Sequence, residues 1–200
     1  TLGAAEAVTR LARGAEATFD VGHAWDEYFI NSLGLGFDAT VASHVPRYRH
    51  LWRPLVYPAA VARTYFHYRP AQITLSADHD TYSGCIFCIE IGIGKSAGGG
   101  FVLTPDALPD DGLFDICLVR PLSHWKFLTR MPAALWGKHT RFKEVSMMRA
   151  GRLTVSQEDS ILAHFDGEVR RGPSEITITI VPRALPVILA AGSRHTRAPG

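Results

Sequence analysis

The sequence predicts a mostly β chain with a few helices, an α+β domain built as a two-sheet β-sandwich. Three observations predict it. Seven short runs rich in β-branched and aromatic residues recur along the chain. Turn residues separate them at Asp78 to Asp80, Asp111-Gly112, Asp166-Gly167 and Gly172-Pro173. Only a few segments carry helical spacing, so strands packed in sheets are favoured over a βαβ fold.

Taken in order, Ala4, Ala5, Val8, Leu11 and Ala12 have the spacing of a helix that Gly14 ends. The strand runs are 27–34, 71–77, 84–93, 112–119, 151–157, 160–165 and 175–181. Two helices interrupt them. One starts near Pro54, with Leu55, Ala59, Ala62 and Phe66 on one side. The other follows Ser123, with Trp125, Leu128, Met131 and Leu135 inward, Pro132 shortening it and Gly137 stopping it. Leu128 and Leu135 are expected in the core, and Trp52, Trp125 and Trp136 at an interface. The organisation expected is a trailing helix over 1–16, a sandwich over 17–192 and a basic tail over 193–200.

With 21 Lys and Arg against 19 Asp and Glu, the net charge of +2 excludes nucleic-acid binding by bulk charge. No apolar run reaches the roughly 18 to 20 residues that span a bilayer, and the start lacks a signal-peptide core, so a cytoplasmic protein is expected. Cys85 and Cys88 have CxxC spacing but sit three apart in a strand pattern, on opposite faces, which reads as buried free thiols. Nine histidines are scattered without HxxxH or HExxH spacing, so no catalytic zinc signature is present.

Two glycine motifs are decoys. Gly94-Lys95-Ser96 ends like a phosphate-binding loop, but the required earlier glycine falls at Ile89. Gly34 to Ala39, "GLGFDA", fits a relaxed dinucleotide fingerprint without the acidic residue about 20 positions later.

More specific is a compound pattern: "FINSLGLGFDATVA" (29–42), "GGGFVLTPDALPDDGLFDICLV" (98–119) and "AHFDGE" (163–168). In order and spacing these segments resemble the C-terminal domain of the diacylglycerol kinase catalytic family, which includes bacterial lipid kinases and sphingosine kinases. The resemblance covers nearly the whole chain and implies the NAD kinase/diacylglycerol kinase-like sandwich. It implies the lipid-acceptor side of an ATP-dependent lipid kinase of phospholipid metabolism, incomplete without an N-terminal ATP-binding domain and inactive alone. The Gly-Gly-Asp-Gly-Thr loop of that nucleotide domain does not occur in this sequence, and Ile93 stands where relatives carry Asn.

By local chemistry alone, Asp166-Gly167 is a hairpin turn. The resemblance makes Asp166 the general base that takes the proton of a lipid hydroxyl as it attacks the γ-phosphate of ATP. Gly167 would leave room for a phosphate, and Glu168 would hold a nucleotide hydroxyl or Mg²⁺ through water. Its alternative is a solvated strand-end charge. Arg170 and Arg171 would meet phosphates or anionic headgroups, or form a wet surface. "LPDDGLFD" (108–115) is either a plain Asp-Gly turn or, as the resemblance implies, a structural Mg²⁺ or Ca²⁺ site using the carbonyls of Leu108 and Leu113 and the carboxylate of Asp111. Gly98, Gly99 and Gly100 would let backbone pass near the cleft or make a bulge.

The acceptor's slot is expected from 54–68 or 124–136, with peripheral contact at the inner membrane face. Exposed strand edges leave room for a homodimer. Two other readings stand beside the kinase: a non-catalytic lipid-binding or regulatory module, and a relative of the nicotinamide-nucleotide kinases.

Overall fold

The computed structural model describes residues 3–48, 50–97 and 100–189; Gly98, Gly99 and the tail from 193 lie outside the described residues. Two six-stranded sheets stack face to face, and every strand pair is antiparallel.

The first sheet contains β1 (Ala15–Ala24), β2 (Glu27–Phe29), β4 (Ala71–Ala77), β5 (Asp80–Ile86), β9 (Arg152–Gln157) and β12 (Glu175–Leu189), in the order β2-β1-β12-β9-β4-β5. The second contains β3 (Ser32–Gly36), β6 (Cys88–Gly92), β7 (Phe114–Val119), β8 (Val145–Ala150), β10 (Leu162–Phe165) and β11 (Glu168–Arg171), in the order β11-β10-β3-β6-β7-β8. Alternation along each strand sends Leu33, Leu35, Ile89, Ile91, Ile116, Leu118 and Phe165 into the layer between the sheets, where they meet Ile73, Leu75, Leu153, Val155 and Ile178.

The helices are α1 (Ala4–Ala12), α2 (Phe37–His44), α3 (Arg53–His67) and α4 (His124–Arg130), the last continued by a 3₁₀ turn over Met131–Trp136. Residues of α2, α3 and α4 cover the outer face of the second sheet. Phe37, Val41, Ala60, Val61 and Phe127 pack there on Phe87, Cys117 and Val119, making a second apolar cluster. None of the helices among the described residues is long and apolar enough to cross a membrane.

The two-sheet prediction holds. Details differ, each for a physical reason. The run 27–34 breaks between β2 and β3, which belong to different sheets, and 84–93 divides at Phe87 for the same reason. One Cys of the CxxC pair therefore serves each sheet, and both are free thiols, but Cys85 is exposed and Cys88 half-buried, which corrects the expectation that they are buried. Residues 145–150 and 168–171 are strands that were not anticipated. On α3 the buried side is Ala60, Val61 and Thr64, whereas Leu55 and Phe66 are exposed, so the inward face is the reverse of the one expected. On α4, Phe127 is the anchor; Trp125 and Leu128 are 76% and 61% exposed, and Leu135 beyond them is also exposed, which corrects the core assignment of Leu128 and Leu135. The switch to 3₁₀ at Met131 and Pro132, and the left-handed Gly137 (φ +67°) that ends it, match expectation.

Asp20 fixes the geometry of the loop before β7. It sits where the register of β1 on β12 shifts, fully buried. Its N–H donates to the Pro109 carbonyl (2.7 Å), and its carboxylate accepts from the Gly112 N–H (2.7 Å) and the Arg183 N–H (2.8 Å). Three chain segments thus meet on one side chain.

Candidate functional site

Strand register builds the polar centre of the outer face. His164 on β10 lies opposite Gly34 on β3, Gly34 opposite Glu90 on β6, and Glu90 opposite Cys117 on β7. These four residues form one row across the sheet, pointing toward the helices. Gly34 has no side chain, so His164 and Glu90 approach each other over it: a Cβ at position 34 would stand 2.2 Å from His164 Nε2 and 2.8 Å from Glu90 Oε2. Asp38, in the first turn of α2, reaches the same point, and its Oδ2 is 2.6 Å from His164 Nε2. Glu90 Oε2 is 3.8 Å from that nitrogen. Tyr57 of α3 donates its hydroxyl to Asp38 Oδ1 at 3.3 Å.

The cluster is dry. Glu90 is 1% and His164 4% exposed. Burial and the charge of Asp38 push the Glu90 carboxyl up to about 7, although the His164 charge pulls the other way. Burial alone would lower His164, but Asp38 and Glu90 beside it outweigh that and raise it to about 10. Burial likewise opposes ionisation of Asp38, yet the hydrogen bond and charge of His164 hold it below its usual value. Among the described residues, neither Glu90 oxygen has a hydrogen-bond partner.

Two residues beyond His164 is the Asp166-Gly167 turn. Phe165 pairs with Glu168 across it, and Asp166 (φ +50°) and Gly167 (φ +92°) both adopt the positive φ of a type I′ hairpin turn. The Asp166 side chain also docks on the segment joining β2 to β3. Its Oδ1 accepts from the N–H groups of Asn31 (2.9 Å) and Ser32 (2.8 Å), and its Oδ2 from that of Ile30 (2.8 Å). The residue remains exposed, and Oδ2 keeps one acceptor position. Gly167 is open on its outer side. Its N–H is 3.4 Å from His164 Nδ1, a contact only a neutral ring could accept, because a cationic imidazole carries a proton on both nitrogens. Glu168 is exposed and pairs with Arg170 (2.9 Å), which also holds Glu27 (2.6 Å); Arg171 donates to Ser160.

The 108–115 loop is organised differently. Asp111 Oδ2 is paired with the Arg149 guanidinium, whose Nε lies 3.3 Å from Asp115, and Asp111 Oδ1 accepts the Leu113 N–H at 3.1 Å. Each oxygen of Asp111 takes one contact and keeps one acceptor position, and Arg149 already supplies positive charge beside it. An ion held by the carbonyls of Leu108 and Leu113 would have to share the Asp111 carboxylate with Arg149.

Both segments nominated for an acceptor slot close a single cavity of about 120 Å³ between the helices and the second sheet. Its walls include Phe37, Tyr57, Val61, Phe87, Phe127 and Met131, with Asp38 contributing a polar edge. Stacked ring pairs, Phe37 with Phe87 (4.4 Å) and Tyr65 with Phe127 (4.3 Å), hold the helices in place. On another side Glu144 is buried between Arg130 and Lys126.

Asp166 and Gly167 stand at one end of this assembly, linked through His164 to the cavity edge at Asp38. The sequence reading missed Asp38, Glu90, His164 and Asp20. A signal existed for two of them: Glu90 between Ile89 and Ile91, and His164 inside "ILAHF", are polar residues at the centre of apolar strands.

The profile of the YegS C-terminal NAD kinase beta sandwich-like domain matches residues 31–189. Over 164 residues the chain is 24% identical to a diacylglycerol kinase of Bacillus subtilis, covering 82% of this chain and 54% of that protein. It is 29% identical over 181 residues to a diacylglycerol kinase of Mycobacterium tuberculosis, covering 88% and 58%. Among solved structures, a diacylglycerol kinase from Bacillus anthracis superposes with a TM-score of 0.63 at 16% identity, over 94% of this chain and 59% of that one. An NAD kinase from Archaeoglobus fulgidus in complex with ATP superposes with a TM-score of 0.50 at 14% identity, over 96% and 62%. The chain thus spans between half and two thirds of the length of these relatives. With most of its length matched by that profile, and a sandwich to go with it, the chain belongs to the family of YegS C-terminal NAD kinase beta sandwich-like domains.

Proposed function

We propose that this chain is the acceptor side of an ATP-dependent lipid kinase. One observation carries the reading: helix α3 and the α4–3₁₀ segment close an apolar cavity whose polar edge, Asp38, is joined by His164 to the strand that leads into the Asp166 turn. A few carbons of a lipid, next to its hydroxyl, would fill the cavity, with the hydroxyl directed toward the turn and the rest of the tail outside. The exposed Trp125, Leu128 and Trp136, on the elements that wall the cavity, suit contact with a bilayer surface while the lipid is taken up.

ATP supplies the phosphoryl group when it is bound, and relatives about half as long again as this chain suggest that a further domain binds it. Asp166, fixed on three backbone N–H groups, orients the acceptor hydroxyl through the open position on Oδ2 and receives its proton as the oxygen bonds to phosphorus and the bond to the β-phosphate breaks. Gly167 leaves that approach unobstructed. Glu168 orders Arg170 beside the turn, where the guanidinium can face phosphate.

The test is phosphate transfer from ATP to a panel of lipid alcohols by the full protein that carries this chain. Transfer is expected for at least one lipid, with Asp166→Asn reducing it by two or more orders of magnitude and leaving lipid binding in place. Lipid binding without transfer would favour the non-catalytic module, and full activity of Asp166→Asn would overturn the assignment of the base.

A further inference from the structure

We propose that Asp38, Glu90 and His164 form a binding site for one divalent first-row transition metal ion, of the Zn²⁺ or Mn²⁺ class. The inference does not depend on the lipid-kinase reading. The three side chains come from α2, β6 and β10, and one ligand atom from each lies within 4.8 Å of the others. Two carboxylates and one imidazole are a donor set suited to such ions, whereas Mg²⁺ and Ca²⁺ prefer oxygen alone.

Two features point to a ligand beyond the cluster itself. Glu90 is almost wholly buried, and neither of its oxygens has a hydrogen-bond partner among the described residues, with only the His164 ring 3.8 Å from Oε2 as an ion-pair contact. An unpartnered buried carboxylate is costly, and a cation removes that cost. Gly34 is the second feature: any side chain there would occupy the space over which His164 and Glu90 converge.

The spacing is close to what coordination needs. With metal–ligand distances of about 2.0–2.2 Å, two ligands at a tetrahedral angle lie roughly 3.3–3.6 Å apart. His164 Nε2 stands 2.6 Å from Asp38 Oδ2 and 3.8 Å from Glu90 Oε2, which bracket that value, so side-chain adjustments of well under an ångström to about one ångström would admit an ion. Coordination would replace the proton on His164 Nε2 that Asp38 now accepts and leave a neutral imidazole with its proton on Nδ1, so the Gly167 N–H could no longer donate to that nitrogen. Asp38 is also on the cavity wall, so the ion would lie at the cavity's polar edge.

The experiment uses the full protein, stripped with chelator and titrated with Zn²⁺ by equilibrium dialysis. Wild type is expected to take up one ion more than either Glu90→Gln or His164→Gln, each with at least tenfold weaker binding at this site. Folding of the variants is checked by circular dichroism in chelator. Mn²⁺ added to wild type gives a readout that needs no variant: amide signals of Gly34, Glu90 and His164 should broaden first. Equal Zn²⁺ uptake by wild type and folded variants, or first broadening elsewhere, overturns the site. Neither readout involves phosphate transfer, so failure here is distinct from failure of the kinase reading.

Discussion

His164 and Glu90 reach toward each other over Gly34, whose missing side chain is the only reason both can point to the same spot. That relationship joins the strand before the Asp166-Gly167 turn to the centre of the sheet, and it leads to the first prediction.

Gly34→Ala places a methyl group 2.2 Å from His164 Nε2. The protein should lose about 1–3 kcal/mol in urea unfolding, as overpacking of a tight interior does. Combining it with His164→Ala should cost less than the two single changes added together, because the second removes the atom that the first strikes. Additive costs would show that the contact does not govern position 34.

Asp166 is expected to matter for stability as well as chemistry, since its carboxylate accepts three backbone N–H groups. Asp166→Ala should destabilise by about 1–3 kcal/mol. Hydrogen exchange at Ile30, Asn31 and Ser32 should accelerate in that variant, while exchange in β4 remains as in wild type.

Phe127 anchors α4 against Phe37, Tyr65 and Phe87. Phe127→Ala should cost about 3–5 kcal/mol, the range for removing a buried aromatic. It should also weaken binding of a long-chain lipid, read by fluorescence of a lipid probe.

His139 is buried, with Nε2 near Cys117 Sγ (3.4 Å) and the Leu103 carbonyl (3.2 Å). Burial lowers its pKa below the ordinary 6.5, despite the opposing carbonyl contact. The unfolded chain therefore binds the proton first as pH falls. Stability from this group is complete above about pH 6.5 and declines below it, by up to about 1.4 kcal/mol per pH unit. In His139→Leu the decline should be shallower by that contribution; identical pH profiles would contradict it.

Arg149 occupies Asp111 and Asp115. Arg149→Gln frees those carboxylates, so Mg²⁺ or Ca²⁺ should raise the unfolding midpoint of the variant more than that of wild type. An equal response would mean that the guanidinium does not stand in for a cation.

Much of the sandwich was legible because strand alternation and turn residues act locally. Asp166-Gly167 announced its turn by residue type alone, and the 3₁₀ break at Pro132 followed from a missing N–H. Helix faces were misjudged where apolar residues lie on both sides: α3 offers Leu55 and Phe66 as readily as Val61, and only packing on Phe87 decides. The Asp38–Glu90–His164 group was illegible for a different reason. Its members are 52 and 74 residues apart along the chain and converge only through the register of β10, β3 and β6, so no local spacing such as HxxxH could reveal them. Arg149 was missed as the partner of Asp111 for the same reason, since β8 brings it there from 38 residues away.

A vacancy between His164 and Glu90 in the row across the second sheet has an evolutionary consequence. Homologous chains that acquire bulk at the position of Gly34 must give up either the imidazole or the carboxylate flanking it, so the three positions are expected to change in concert. A one-residue insertion in β3 would be harsher still, turning Leu35 toward the helices and carrying an isobutyl group into a place shaped for charge.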